Sequence, residues 1–282
     1  MGCNLDKGDD GMNAIWLTDI HLNFLKYKHE ELEKFYENVC NKIDENNADY
    51  VFITGDIGEC NDFQTILSNL NARLPSGCKI LFVLGNHDYY GGNVEKAREQ
   101  AKGMEDMTYL TLADPIIHND VMICGVDGFA DGRNGNAYRS TIMMNDHVLI
   151  RDFKLATMTG KKMGLIKKME ELADADALML DQKLSQDTTA SSVVVLTHIP
   201  PFPEVSKYQG SISGEEFLPY YTSKATGDIL LKHAKIHPNR QYLVLCGHSH
   251  HEAHFQPVSN MDVYCGKATY GFPEVQERVI KL

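Results

Sequence analysis

The chain has 282 residues, of which 43% are hydrophobic and 23% are charged, which is ordinary for a globular protein with a sizeable core. Its formal net charge of −12 argues against an extended nucleic-acid-binding surface, which requires clustered positive charge. No apolar run approaches the roughly 20 residues that span a bilayer, so the sequence predicts neither a transmembrane helix nor a membrane partner.

The chain reads as one domain with a short extension before it. Residues 1–12 lack the apolar segment of a secretory signal, and we expect them to be a disordered lead-in. Seven cysteines are scattered without a CxxC pair, which favours a reducing, cytoplasmic compartment. We find no repeat and no linker, so the sequence predicts a single domain over residues 13–282. It leaves the oligomeric state open.

In chain order, the first elements predict a β-α-β-α-β unit. Its strands are the apolar runs in NAIWLTD, DYVFITGD and CKILFVLGNHD, and apolar residues at helical spacing lie between them. Further strands are predicted in VMICGVDGFA, SSVVVLTHIPP and QYLVLCGHSHH, and two more in MDVYCGKATYG and EVQERVIKL. Residues 140–187 are predicted to be mostly helical, and residues 202–224 to be a loop. This alternation is typical of an α/β fold.

Five of the predicted strands are followed by Asp, Asn or His. Ligands of open α/β sheets bind beyond the carboxyl ends of the strands, which makes these side chains candidate site residues. They are Asp19 and His21 in TDIH, Asp56 in GDIGE, Asn86 and His87 in GNHD, His198 in THIPP, and His248 and His250 in GHSHH. Each Asp or Asn alone could be a helix cap or a turn residue, but that alternative accounts poorly for the whole set.

The chemistry of these residues suits metal ions. The pairs Asp19/His21 and His248/His250 are spaced two residues apart, which in an extended segment places both side chains on one face. Carboxylates, imidazoles and one amide, without a thiolate, suit Mn²⁺, Fe, Zn²⁺ or Mg²⁺. Because there are more candidate ligands than one ion takes, we expect two divalent ions with a bridging carboxylate.

The blocks TDIH, GDIGE, GNHD, THIPP and GHSHH resemble, in order and spacing, the signature blocks of the calcineurin-like metallophosphoesterase superfamily. They extend over most of the chain. The resemblance implies a four-layer α/β sandwich in which two mixed sheets are flanked by helices. It also implies a metal-dependent hydrolase whose substrates are phosphate esters.

The resemblance further implies a role for each residue at the strand ends. Two ligand sets follow, with Asp56 as the bridge: Asp19, His21 and His250 for one ion, and Asn86, His198 and His248 for the other. We expect Mn²⁺, with Fe, Zn²⁺ and Mg²⁺ as alternatives. In the implied mechanism, hydroxide held between the ions attacks phosphorus, and His87 stabilises or protonates the leaving oxygen. Glu59 is the candidate to orient His87.

The chain departs from the protein-phosphatase branch, which usually carries GDxxDRG and GNHE. It has GDIGEC and GNHD, so the arginine that grips the phosphate in that branch is missing, and Glu59 is one methylene longer than the usual Asp. Arg133 and Arg139, in a Gly-rich loop, are therefore candidate substrate contacts, although exposed loop arginines are usually only solvated.

Several alternatives remain open from the sequence. The specificity could be that of a monoester phosphatase or that of a phosphodiesterase or nuclease. A non-catalytic scaffold that binds a partner through residues 129–187 and a mononuclear structural metal site are alternatives of other classes. An aromatic wall over the substrate is a further hypothesis, with core or surface packing as its alternative, for Tyr89, Tyr90, Tyr208, Phe217, Tyr220 and Tyr221.

Overall fold

The computed structural model describes residues 11–186 and 189–282, so most of the expected lead-in, residues 1–10, lies outside the described residues. The strands are β1 (Asn13–Leu17), β2 (Tyr50–Thr54), β3 (Lys79–Val83), β4 (Thr108–Tyr109), β5 (Ile116–His118), β6 (Val121–Gly125), β7 (Ser192–Leu196), β8 (Lys207–Tyr208), β9 (Ser211–Ile212), β10 (Gln241–Cys246), β11 (Ala253–Val258), β12 (Met261–Cys265) and β13 (Ile280–Lys281).

The α-helices are α1 (His29–Asn46), α2 (Phe63–Asn71), α3 (Val94–Lys102), α4 (Asp146–Leu149), α5 (Arg151–Leu184), α6 (Leu218–Tyr221) and α7 (Lys224–Ile236). Short 3-10 helices lie at Leu22–Leu25, His87–Tyr89 and Pro203–Val205. The long helix α5 is interrupted at Lys161, whose φ is 51°. Within the described ranges, no helix is both long and apolar enough to cross a membrane.

Two large mixed sheets form the centre of the fold. The first has the strand order β13-β1-β2-β3-β4, in which β1 to β4 are parallel and β13 is an antiparallel edge. The second has the order β11-β12-β10-β7-β6-β5, with four parallel strands between antiparallel edges. Strands β8 and β9 form a separate hairpin.

Successive side chains of a central strand point to opposite faces of its sheet, and this alternation shows how the sheets stack. In β1, Trp16 packs in a core shared by strands of both sheets, whereas Ile15 and Leu17 pack in a core with residues of the helices. In β7, Val194 lies in the core between the sheets, and Val195 lies in a third core with residues of α5 and α7. The molecule therefore has helix, sheet, sheet and helix layers, which confirms the expected four-layer α/β sandwich.

The strongly apolar strands lie where the sequence predicts them. The short or half-exposed strands were not predicted correctly. Residues 202–224, expected to be a loop, contain the β8–β9 hairpin and α6, which are too short to show a periodicity. The edge strand β11 was not predicted because its side chains are mostly half-exposed and carry no apolar run. In EVQERVIKL only Ile280–Lys281 is a strand.

The parallel strands bring distant polar loops to one edge of the sandwich. After β1, Asp19 N donates to Gly55 O and His21 N donates to Asp56 O, so the loops that follow β1 and β2 are joined. In the second sheet, Gly247 N donates to His198 O, which joins the loops after β7 and β10. The candidate residues of all five strand ends therefore meet where the carboxyl ends of the strands converge.

Candidate metal centre

Asp19, His21, Asp56 and His250 form one cluster of potential ligands. One ligand atom from each lies within 4.8 Å of the others. His250 Nε2 is 3.2 Å from Asp19 Oδ1 and 3.3 Å from His21 Nε2, and His21 Nε2 is 3.5 Å from Asp56 Oδ2. In the described part of the chain, no lysine or arginine pairs with either carboxylate, so histidines are the potentially cationic side chains beside these two buried acids.

A second cluster is centred on the amide oxygen of Asn86. Asn86 Oδ1 lies 3.0 Å from His198 Nε2 and 2.9 Å from His248 Nδ1. Asp56 links the clusters, because its Oδ1 is 3.4 Å from His198 Nε2 while its Oδ2 faces His21. One carboxylate thus directs one oxygen towards each cluster, which is the arrangement that a bridging ligand requires.

The far ring nitrogens of the second cluster are held by backbone carbonyls. His198 Nδ1 is 2.8 Å from Thr54 O, and His248 Nε2 is 3.1 Å from Tyr220 O. A carbonyl only accepts, so these nitrogens carry protons, and in the neutral form of each ring His198 Nε2 and His248 Nδ1 present lone pairs to Asn86 Oδ1. Three acceptors then face one another without a donor, and a cation fits between them.

The orientation of the Asn86 amide is set by a residue that the sequence analysis missed. Asn86 Nδ2 donates to Asp146 Oδ1 at 2.8 Å, and Tyr90 Oη donates to the same oxygen at 2.5 Å. Since the amide nitrogen is committed to Asp146, the amide oxygen must face the imidazoles. Asp146 lies 60 residues from Asn86, at the start of α4, where an acidic residue resembles ordinary helix capping.

The backbone of the candidate ligands is strained. Five of them have a positive φ: Asp19 (49°), His21 (41°), Asp56 (53°), His248 (69°) and His250 (57°). Non-glycine residues rarely adopt this left-handed conformation, which costs roughly 1–2 kcal/mol, and such strain concentrates at functional sites. The expectation that the pairs at a spacing of two lie in extended segments was wrong. Their side chains converge because the chain turns sharply after each strand.

Two glycines permit the close approach of these turns. A Cβ at Gly85 would lie 2.2 Å from Asp56 Oδ1, and a Cβ at Gly247 would lie 2.2 Å from Asp19 Oδ2. Asp88 then ties the turns together, because its Oδ1 accepts from Ile57 N and Gly58 N and its Oδ2 accepts from Gly85 N. The carboxylate of GNHD therefore joins two loops rather than facing a ligand.

Burial and mutual proximity shift the pKa values in the first cluster. Burial lowers the pKa of His21 to about 2, and burial with the charge of Asp19 raises the pKa of Asp56 well above its usual range. Burial opposes ionisation of Asp19 as well, but His250 beside it holds the pKa of Asp19 below its usual range. At neutral pH His21 is therefore a neutral imidazole, the form that binds metal ions.

The His87 ring lies beside the first cluster. Its centroid is 4.5 Å from that of His21 and 4.3 Å from that of Tyr90. His87 Nε2 is 3.4 Å from Tyr270 Oη, whereas His87 Nδ1 is buried and has no partner among the described residues. Burial lowers the pKa of His87 to about 4. Sequence reasoning missed Tyr270, because no motif marks a single tyrosine in the loop after β12.

No described contact joins Glu59 to His87. The two tyrosines beside His87 are Tyr90, which ends the same turn, and Tyr270, which comes from the loop after β12. Glu59 lies in the turn that precedes α2, where its backbone carbonyl accepts from Asp62 N and Phe63 N. The described contacts therefore give no support to the expected Glu59–His87 pair, which stays a prediction.

Of the two candidate phosphate-binding arginines, Arg133 forms an ion pair and Arg139 is exposed to solvent. Arg133 forms a bidentate contact with Asp174, at 2.6 and 2.8 Å, so its guanidinium is bound to α5. Arg139 is exposed, and within the described ranges only its backbone N–H is hydrogen-bonded, to Asn136. Neither guanidinium is directed at the metal centre by a contact in the described residues.

The six candidate aromatic residues separate into two groups. Tyr89, Tyr90 and Tyr220 are at most 4% exposed and belong to the buried part of the fold. Tyr208, Phe217 and Tyr221 instead line a cavity next to His248 and His250. The expected wall therefore contains only half of its proposed members.

Comparison with known proteins places this geometry in a family. The family model for calcineurin-like phosphoesterases matches residues 12–252. A dimetal phosphatase from Danio rerio is 12% identical, covers 91% of this chain and 87% of its own, and superposes with a TM-score of 0.51. The protein TT1561 of Thermus thermophilus is 15% identical over 91% of this chain and 90% of its own, with a TM-score of 0.48.

Identities this low establish only a shared fold with the solved structures. No curated protein matches the sequence closely enough to serve as a relative. The family model is a different kind of observation, because it matches from the residue before β1 to the residue just after GHSHH and so includes all five blocks. The chain belongs to the calcineurin-like phosphoesterase family.

Proposed function

We propose that the protein hydrolyses phosphate esters at a centre that holds two divalent metal ions. The observation that carries this proposal is the carboxylate of Asp56, which directs one oxygen into each of two buried donor clusters. The proposed ligands, with Asp56 shared, are Asp19, His21 and His250 for one ion and Asn86, His198 and His248 for the other.

The donors fit such ions on physical grounds. Lone pairs of His198, His248 and Asn86 face one another, and the nearby acids have no lysine or arginine partner among the described residues. Oxygen and imidazole donors without a thiolate suit Mn²⁺, Fe, Zn²⁺ or Mg²⁺, and Mn²⁺ is the ion that we propose. When bound, the ions supply Lewis acidity towards the phosphoryl oxygens and a nucleophilic water near neutral pH.

The side chains of the site have separate tasks in this reaction. Asp56 sets the separation of the two donor clusters, and its Oδ1 is itself held by the backbone N–H of His87 at 2.9 Å. His87 is the proposed contact to the leaving oxygen, since its Nδ1 is without a partner among the described residues and its ring lies against His21. A hydrogen bond from this ring to the leaving oxygen stabilises the charge that develops there.

A non-catalytic scaffold accounts less well for these observations. Seven donors converge, and five of them occupy backbone conformations that cost free energy. A protein that only displays residues 129–187 to a partner has no need of that strain. The preference for monoesters or diesters is the finer question that the experiment below separates.

The test is hydrolysis by metal-stripped protein after Mn²⁺ is restored, with p-nitrophenyl phosphate and bis-p-nitrophenyl phosphate as substrates. We expect turnover only with metal, and the faster substrate identifies a phosphatase or a diesterase. Asp56→Ala should lose both bound ions and turnover, because it removes the shared ligand. Asp228→Ala, which breaks an exposed pair with Lys224, is the control and should keep both.

Two results would contradict the proposal. Wild-type turnover in the Asp56 variant would exclude a reaction that depends on the shared carboxylate. One tightly held ion with no turnover of either substrate would indicate a mononuclear structural site instead.

A further inference from the structure

A cavity of about 520 Å³ opens directly beside the proposed metal centre. Its lining includes His248 and His250, one candidate ligand from each cluster. Small-molecule sites commonly have volumes of roughly 300–1,000 Å³, so the space suits an organic group of moderate size. Because the cavity shares residues with the metal centre, a group attached to a phosphate there would extend into it.

The described residues contribute four Tyr and Phe side chains to the cavity wall. Tyr208 comes from β8, Phe217 and Tyr221 lie at α6, and Tyr270 follows β12. Tyr208 is 62% exposed, Phe217 is 42% exposed and Tyr270 is 50% exposed, so the protein core does not account for their clustering. Exposed apolar side chains gathered from separate segments mark a binding surface rather than ordinary surface composition.

Aromatic rings of the wall meet neighbouring rings edge to face, which leaves ring faces open for a ligand ring to stack on. Phe217 and Tyr221 meet edge to face with centroids 6.2 Å apart, and Tyr208 meets His251 in the same way at 5.4 Å. In such a pair one ring presents only its edge, so both of its faces are left uncovered by that contact. Stacking on aromatic side chains is worth roughly 10- to 100-fold in affinity for a planar ring.

The charge of the wall suits a singly phosphorylated group. Among the described residues, no Asp or Glu lines the cavity, although the whole chain has a net charge of −12. Lys207 is the one lysine or arginine that the described part of the chain contributes to the lining. An uncharged planar group therefore finds apolar faces to contact, whereas a second highly charged group finds a single cation.

We propose that this cavity binds a planar aromatic ring in the alcohol part of the ester, so that the preferred substrates are phosphate esters that carry an aryl group or a nucleobase. The inference rests on the proposed function of the metal centre. It names Tyr208 and Phe217 as specificity-determining residues for that reaction.

The experiment compares substrates that differ in the ring but not in the leaving oxygen. Benzyl phosphate is compared with cyclohexylmethyl phosphate, each as the monoester and as the methyl diester, so that the result does not depend on which ester class is hydrolysed. Adenosine 5′-monophosphate and ribose 5-phosphate form the second pair, which separates a nucleobase from a simple aryl group. The readout is the ratio of kcat/KM within each pair, measured with Mn²⁺.

We expect the aromatic member of at least one pair to be favoured about tenfold or more. Tyr208→Leu and Phe217→Leu should each reduce that ratio several-fold, and the double variant should bring it close to one. Tyr138→Leu is the matched control, because Tyr138 is 60% exposed and lies outside the cavity lining, and it should keep the wild-type ratio.

The outcomes distinguish this inference from the function on which it rests. Metal-dependent turnover with ratios near one in the wild type, or ratios that the double variant leaves unchanged, would overturn the aromatic subsite alone. Absence of metal-dependent turnover for every substrate would overturn the proposed function and the subsite together.

Discussion

At the scale of single residues, the neutral amide of Asn86, a proposed metal ligand, is held in one orientation by its neighbours. An amide presents a donor and an acceptor of nearly the same shape, and either could face the imidazoles. Asp146 and Tyr90 remove that ambiguity, since Asp146 Oδ1 accepts from both Asn86 Nδ2 and Tyr90 Oη. The amide oxygen is left for the second cluster, where His198 and His248 present lone pairs.

This arrangement predicts that Asp146→Ala weakens metal binding without unfolding the protein. Loss of the acceptor frees the Asn86 amide to turn its N–H₂ group towards the imidazoles, and loss of partners behind metal ligands typically costs 10- to 100-fold in affinity. We expect a fall of that size for the ion proposed at the Asn86 cluster, measured by metal titration. Circular dichroism checks that the fold is retained.

The control for that prediction is Tyr90→Phe, which removes one hydrogen bond to Asp146 but keeps the contact between Asp146 and Asn86. It should lower metal affinity by less than the Asp146 variant does. Equal affinity in wild-type protein and Asp146→Ala would show that the imidazoles orient the amide without help.

At the scale of elements, a buried ionic network fixes α3 and α5 beside the site. Arg98 on α3 contacts Asp127, which follows β6, at 2.9 Å and Asp176 on α5 at 2.6 Å. Asp127 also accepts from the backbone N–H of Leu84, two residues before Asn86. Both acids are almost fully buried, so removal of the arginine leaves two carboxylates without their cation.

We therefore expect Arg98→Met to lower the free energy of unfolding by about 3–5 kcal/mol, the usual cost of breaking a buried ion pair on one side. Urea unfolding of metal-free protein measures this as a lower midpoint with an unchanged slope. Lys224→Met is the control, because its pair with Asp228 is exposed and is worth roughly 0.5 kcal/mol or less. A loss below about 1 kcal/mol for the Arg98 variant would show that water compensates the acids.

At the scale of the whole molecule, buried tyrosine and cysteine side chains make the free energy of unfolding fall at alkaline pH. Burial raises the pKa of Tyr109 well above its usual range and raises the pKa of Cys124 to about 12. In the unfolded chain such groups ionise near pH 8.5 for Cys and near pH 10 for Tyr, at about their model-peptide values. Above those values the folded state binds more protons than the unfolded state, so the free energy of unfolding falls as pH rises.

The expected loss is about 1.4 kcal/mol per pH unit for each group that stays protonated only in the folded protein. Urea midpoints measured from about pH 8 to about pH 11 test this. Cys124→Ala should show a shallower decline between about pH 9 and about pH 11 than the wild type, whatever its stability at neutral pH. Parallel declines for the two proteins would contradict the assignment to Cys124.

The sequence by itself determined the central strands and the residues at their ends. A strand buried on both faces must be apolar throughout, so β2, β3, β7 and β10 appear as continuous apolar runs that stop where polar residues begin. The topology of parallel strands then requires those ends to share one edge. That is why the α/β class and the candidate donors could be read from the residues, whereas the family and the four-layer sandwich came from the resemblance of the five blocks.

The tertiary structure alone decided which distant side chains meet these blocks. Asp146 is 60 residues from Asn86, and Tyr270 is 183 residues from His87. Periodicity reports how a segment is buried, but not which loop from elsewhere in the chain lies against it. The left-handed turns, the engagement of Arg133 by Asp174 and the aromatic cavity beside His248 likewise depend on how loops pack at the strand ends, where the backbone follows no repeating pattern.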